Sequence, residues 1–223
     1  MTFSCEHCAK SFRKENSLVA HACEPRRRWN DRNTVVVKLA LQTYQLFYQR
    51  IQPSSKPKDW AEFASSRYYI AFKKFAQYTI DVRCVNTQEF INYILKQQTP
   101  LDRWCSDSVY EEFMLSWIQT EPAWDAVQRS LLTATDWADQ QTSEAAHYFK
   151  YATDSRIVSD IVKGRISAWL IYASADGVGW LSRLMPDQQQ LIYRWINPEV
   201  WQSKLHQESE FVEIQHLIAQ LGM

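Results

Sequence analysis

The chain has 223 residues, with 25 Lys/Arg balanced by 25 Asp/Glu, and 46% of its residues are hydrophobic. That length holds one mid-sized domain, or a domain and a small module. Its four Gly exclude a turn-rich all-β protein and a glycine-rich phosphate loop. Aromatic residues make up 14%, enough to furnish a large core. No apolar run reaches the length of a membrane span, and the polar N-terminus lacks the apolar stretch of a secretory signal. A membrane partner is therefore not expected, and an intracellular location is. The zero net charge hides an asymmetry: residues 1–84 hold fifteen Lys/Arg against seven Asp/Glu, and residues 85–223 hold ten against eighteen. The basic end is expected to meet an anionic partner, unless charge simply drifts along the chain.

Three of the five cysteines fall within residues 5–23, a crowding that favours metal binding over a disulfide framework. The stretch reads Phe3-x-Cys5-x2-Cys8-x3-Phe12-x5-Leu18-x2-His21. Two cysteines separated by two residues can turn back on a hairpin and offer both thiolates to one ion. The twelve residues before His21 suffice for a second strand, a turn and a short helix. Phe12 and Leu18 fall where such a unit needs its small apolar core. So few residues cannot fold on apolar burial alone, so a structural zinc ion, the natural match to thiolates and imidazole, is expected.

These residues resemble the C2H2 and C2HC zinc-finger families through His21, over about a tenth of the chain. The resemblance implies a small ββα finger over residues 1–23, with ligands Cys5, Cys8, His21 and, departing from the families' spacing, Cys23. Those families place the last ligand three to five residues past the histidine. On a helix, residues two apart point about 200° apart, so Cys23 can join only if the helix ends at His21 and the chain turns back. Pro25 reads as the stop signal. A catalytic ion is not expected, because a finger has no cleft beside its metal.

Docked as a DNA-reading finger, the helix would present Lys14, Ser17 and Ala20, a set too poor for sequence-specific reading. Non-specific phosphate contact is expected instead, from Lys10, Arg13 and Lys14 on the finger and from Arg26, Arg27, Arg28 and Arg32 in a basic linker over residues 24–33. Trp29 stands among these arginines and can stack on an exposed base. The run can equally be a solvated linker, or pair with the protein's own acids, and a single finger can equally bind another protein.

Beyond the linker the pattern is helical to the end, an all-α domain of eight to ten helices over residues 34–223. Residues 34–51 carry Val36, Leu39, Ala40, Thr43, Leu46 and Phe47 at helical spacing. Residues 53–58 form a loop. Asp59 with Glu62 makes a capping box for an aromatic helix running to Tyr78, whose outer side bears a second basic patch, Arg67, Lys73 and Lys74. Asn86 or Thr87 caps the next helix. Further helices begin at Asp107 and Pro122, cover residues 143–152 and 154–163 up to Gly164, and restart at Pro186 and Pro198. Residues 166–173 could be a strand by content, but read as a buried helix from their helical neighbours.

No catalytic motif is found, and a non-enzymatic protein is expected. Asp136 with Asp139, and Glu111 with Glu112, read as solvated helix exteriors; His147, His206 and His216 stand isolated. The aromatic helix with Tyr69, Phe72 and Phe75, then Val85 and residues 90–95, resembles the helical core-binding domain of tyrosine recombinases, without a catalytic set downstream. The order of finger, basic linker, Ser-x-Tyr-Tyr-x-x-Phe-x-x-Phe at residues 66–75 and Gly164-Arg165-Ile166-Ser167-x-Trp169 resembles uncharacterised proteins of large tailed phages. That resemblance implies a host-cell cytoplasm and carries no activity. The expected function is nucleic-acid association through finger and linker, with an acidic helical domain for a protein partner. The alternative is a protein-interaction or virion-assembly module with a structural finger.

Overall fold

The computed structural model describes residues 2–53, 56–207 and 210–222. Ser54 and Ser55 of the expected loop, and the side chain of His206, lie outside the described residues. The fold is all-α, with a two-stranded antiparallel sheet at its N-terminus and fifteen α-helices among the described residues. It divides into two compact units, Met1–Ser106 and Asp107–Met223. The cut falls inside the stretch that the sequence presents as one helical domain. Charge divides at the same place: residues 1–106 hold seventeen Lys/Arg and nine Asp/Glu, and residues 107–223 hold eight and sixteen.

In the first unit, strands β1 (Phe3–Ser4) and β2 (Ser11–Phe12) lead to helix α1 (Glu15–Val19). The expected basic linker contains helix α2 (Glu24–Asp31), with Pro25 in its first turn. A proline there starts a helix at no cost in hydrogen bonds, so Pro25 opens α2 as well as following the finger. Helix α3 (Val35–Ile51) is capped by Thr34, whose hydroxyl accepts from the Val37 N–H. The capping box of Asp59 and Glu62 is present and starts α4 (Trp60–Ser65).

The aromatic helix expected to run unbroken to Tyr78 is two helices. Ser66 turns extended, with ψ 140°, and α5 (Tyr69–Asp81) begins after it. The Ser66 hydroxyl accepts from the Tyr68 N–H at 3.0 Å, a local serine turn that competes with the helix. Helix α6 (Thr87–Lys96) follows, with Asn86 as its cap. The centre of this unit is Trp104, after a short 3-10 turn at Leu101–Arg103 and only 1% exposed. Its ring lies 5.3–5.8 Å from those of Phe47, Phe72 and Phe75, mostly edge to face as aromatic quadrupoles prefer. Its indole N–H donates to the Thr99 carbonyl at 2.8 Å.

The second unit contains α7 (Asp107–Trp117), α8 (Ala123–Gln141), α9 (Tyr148–Tyr151) and α10 (Asp154–Val162). Then come α11 (Ala168–Ala173), α12 (Ala175–Arg183), α13 (Pro186–Ile196), α14 (Pro198–Gln207) and α15 (Glu210–Gln220). Helix α11 is the buried helix expected over residues 166–173, packed among α8, α12 and α15. Gly177 lets α12 approach it: a Cβ there would stand 2.5 Å from the Ile171 carbonyl oxygen.

Two carboxylates of this unit are interior. Glu121 is buried and accepts from both terminal nitrogens of Arg129, whose Nε donates to the Gly164 carbonyl at 2.7 Å. Asp160, 1% exposed, accepts from Arg156 at 2.6 Å, Arg165 at 3.4 Å and the Tyr148 hydroxyl at 2.9 Å. Burial first, and then the Asp160 carboxylate, push the Tyr148 hydroxyl far above its ordinary value, so it stays a proton donor.

With so few glycines, three helices end on other residues in the left-handed region: Arg83 (φ 51°), Gln98 (φ 53°) and Thr142 (φ 52°). A β-branched side chain suits that region worst. Thr142 is exposed, so Thr142→Gly should stabilise the protein by about 0.5–1 kcal/mol, the relieved strain less the entropy that glycine adds to the unfolded chain. Urea denaturation of the two proteins checks this.

Candidate metal centre

The N-terminal tip is built as a hairpin and a single short helix. Phe3 pairs with Phe12 and Ser4 with Ser11. Past β1 the Cys5 N–H bonds to the Lys10 carbonyl, and the Ala9 N–H to the Cys5 carbonyl, both at 2.9 Å. Ala9 turns the chain at φ 57°, folding Cys5 and Cys8 onto one side. Phe12 packs against the His21 ring, centroids 4.8 Å apart.

The helix ends earlier than expected. Helix α1 stops at Val19, with Ala20 as its cap, so His21 lies beyond it. Cys23 is extended, at φ −113° and ψ 159°, and caps α2. His21 and Cys23 are therefore not on one helix, and the 200° helical separation does not apply to them.

Cys5 Sγ lies 3.9 Å from Cys23 Sγ, and Cys8 Sγ 3.2 Å from His21 Nε2. All four donor atoms lie within 4.8 Å of one another. Two sulfurs held at about 2.3 Å from one tetrahedral ion sit about 3.8 Å apart, so the residues fit a four-coordinate metal ion. The His7 N–H, and then that of Cys8, pull the Cys5 thiol below its ordinary value, outweighing burial. The Lys10 N–H lowers Cys8 as well, but desolvation and the neighbouring thiols of Cys23 and Cys5 leave it raised. Such crowding of sulfurs is what a cation relieves. An open hollow of about 270 Å³ does lie beside Cys5, lined by Leu18, Val19 and Arg26 among others, where no cleft was expected. With all four positions filled by protein donors, the ion would have no open position for chemistry.

The residues expected to meet nucleic acid divide into two groups. Arg26 and Arg28 are engaged within the protein. Arg26 donates to the His21 carbonyl at 2.9 Å and to those of Leu18 and Val19 at 3.4 Å. It thereby adds a donor at the C-terminal end of α1, where the Leu18 carbonyl also accepts from the His21 N–H at 3.1 Å. Arg28 pairs with Glu24, donates to the Ala64 carbonyl and lies 4.3 Å over the Tyr69 ring. These two arginines tie the N-terminal tip to α2, and α2 to α4 and α5. The Arg28–Glu24 pair is local, four residues apart on one helix, but the Ala64 carbonyl and the Tyr69 ring are brought by the fold.

Of the other six, Arg32 is half-buried and donates to the Trp29 carbonyl at 2.8 Å, and the other five are exposed. Lys10, Arg13 and Lys14 are exposed and form no ion pair among the described residues. Arg27 is paired with Glu24, but its side chain is 69% exposed. Arg32 lies 3.9 Å over the Trp29 ring, and Trp29 is 42% exposed. In the second basic patch, Lys73 is paired with Asp31 at 2.9 Å, Arg67 folds over Tyr68, and Lys74 is exposed. No other cluster of metal-binding side chains occurs among the described residues, and among them no helix is long and apolar enough to cross a membrane.

No protein-family model, curated protein or solved structure matches the chain.

Proposed function

We propose that this chain is a non-enzymatic, nucleic-acid-associated protein whose tip is a structural zinc finger. Zinc suits three thiolates and an imidazole in a closed tetrahedral set. The reading rests on one observation: Lys10, Arg13 and Lys14 stand exposed and without carboxylate partners on the tip. Arg27 adds to them, since an exposed pair with Glu24 is worth little and can be exchanged for a phosphate. Trp29, held by Arg32, offers a partly open ring to a base. Arg26 and Arg28 act indirectly, by holding the finger on the helices behind it.

Binding of labelled single-stranded and duplex DNA, followed by anisotropy from about 50 to 200 mM salt, tests this. The wild type should weaken steeply with salt. The triple variant Lys10→Ala, Arg13→Ala, Lys14→Ala should flatten the log–log slope by about 3, near one unit for each phosphate no longer neutralised. No binding by the wild type at low salt, or a slope that the triple variant leaves unchanged, sinks the reading.

A second reading, a protein-interaction or virion-assembly module with a structural finger, has support in the second unit. That unit is acidic, and α8 exposes Trp124 (51%) and Leu132 (66%), about 80° apart around the helix. This reading expects no affinity for DNA or RNA and a stable complex with a protein partner.

A further inference from the structure

Two adjoining open hollows lie along α3, of about 500 and 360 Å³, and share Leu46, Gln49 and Pro53 in their walls. The polar groups along α3 fall at Gln42, Gln45 and Gln49, spaced three and four residues apart, so they form one stripe on one helix face. Arg50 and Lys96, from α3 and the last turn of α6, line one hollow, and Lys56 lines the other. All three are exposed and form no ion pair among the described residues. No carboxylate lines either hollow. The carboxylates bonded to lining residues are Glu62, which pairs with Lys58, and Glu89, which accepts from Asn92 at 3.3 Å.

We propose that this stripe is a second polynucleotide-contacting surface, separate from the finger, which receives a phosphodiester backbone along α3. It rests on the nucleic-acid reading above and extends it to a site that the arginine run does not predict. The chemistry fits a phosphate backbone. Unpaired cations supply the charge that displaces condensed counterions. Gln45 is held by the Lys58 carbonyl at 2.7 Å, and the exposed amides of Gln42 and Gln49 can donate to phosphate oxygens and favour no particular base. From Gln42 to Arg50 the helix rises about 12 Å, the length of three phosphates at about 3.4 Å along one strand of a duplex.

The test uses the full chain and the same labelled oligonucleotides. The double variant Arg50→Ala, Lys96→Ala should keep the wild-type circular dichroism, since both side chains are exposed. It should lower the salt slope by about 2, whether or not the finger cations have also been removed. If the wild type binds and the finger variant flattens its slope while the groove variant does not, the groove proposal fails and the finger reading stands. If the wild type does not bind at all, both fall. A labelled poly-glutamate chain separates an acidic peptide from a nucleic acid. Groove variants that lose poly-glutamate affinity but retain the wild-type slope for DNA overturn the proposal.

Discussion

Removing the metal with a chelator is expected to unfold residues 3–23 and to leave the helices behind them folded. The tip has almost nothing else to hold it. Its strands are two residues each, its helix is five residues long and buries no side chain, and Cys5 is its one buried residue among those described. A unit this small has no apolar core to offset its conformational entropy. The apparent binding free energy of a structural zinc ion, about 10–16 kcal/mol in finger peptides, is then the folding free energy itself. Far-UV circular dichroism should change little, because so short a helix contributes little of the signal. Trypsin should cut at Lys10, Arg13 and Lys14, while Arg28, held by Glu24 and the Ala64 carbonyl, stays protected. Cys5→Ser should produce the same pattern with metal supplied, together with loss of the roughly one zinc per chain that the four-donor site predicts. A metal-free protein whose tip resists trypsin as well as the wild type would overturn both the site and the reading built on it.

The second large effect is expected in the second unit. Asp160→Ala should cost about 2–3 kcal/mol in urea or guanidinium denaturation, less than a fully buried ion pair broken from one side, because Arg156 and Arg165 keep 36% and 20% of their side-chain exposure. The carboxylate is the shared acceptor for Arg156, Arg165 and Tyr148. Without it, the buried Tyr148 hydroxyl has no acceptor, and two guanidinium groups lose their counter-charge. Asp160→Asn should cost less, because an amide oxygen can still accept from Tyr148. Neither substitution should alter the metal content, since no ligand lies in this unit. A loss below about 1 kcal/mol for the alanine variant, the scale of an ordinary surface change, would show that Asp160 does not hold this network together.

Much of the finger and of the helix boundaries was legible in the sequence because both are matters of short range. The Cys-x2-Cys spacing, the distance to His21 and the Asp59–Glu62 capping box each depend on residues close together in the chain, whose relative positions are set by φ, ψ and a few hydrogen bonds. Even there, one local choice was missed. The apolar spacing of Phe63, Tyr69, Phe72 and Phe75 continues across residues 66–68 as if in one helix, while the Ser66 side chain ends it. Cys23 was expected to join His21 only if the helix ended at His21, and the helix ends two residues earlier, at Val19.

What these residues determined by themselves is the helical class, the Cys/His donor set and the uneven distribution of charge, which follow from spacing and composition; the helix count did not, since eight to ten were expected over residues 34–223 and thirteen occur among the described residues. Only the tertiary structure decided which cations stay free. Arg26 and Arg28 look like Arg27 in the sequence, yet they meet the carbonyls of α1, the Ala64 carbonyl and the Tyr69 ring. Trp104 becomes the hub of the first unit, and Asp160 and Glu121 become interior charges. A side chain's partner across tens of residues depends on how helices pack, and no local spacing encodes it.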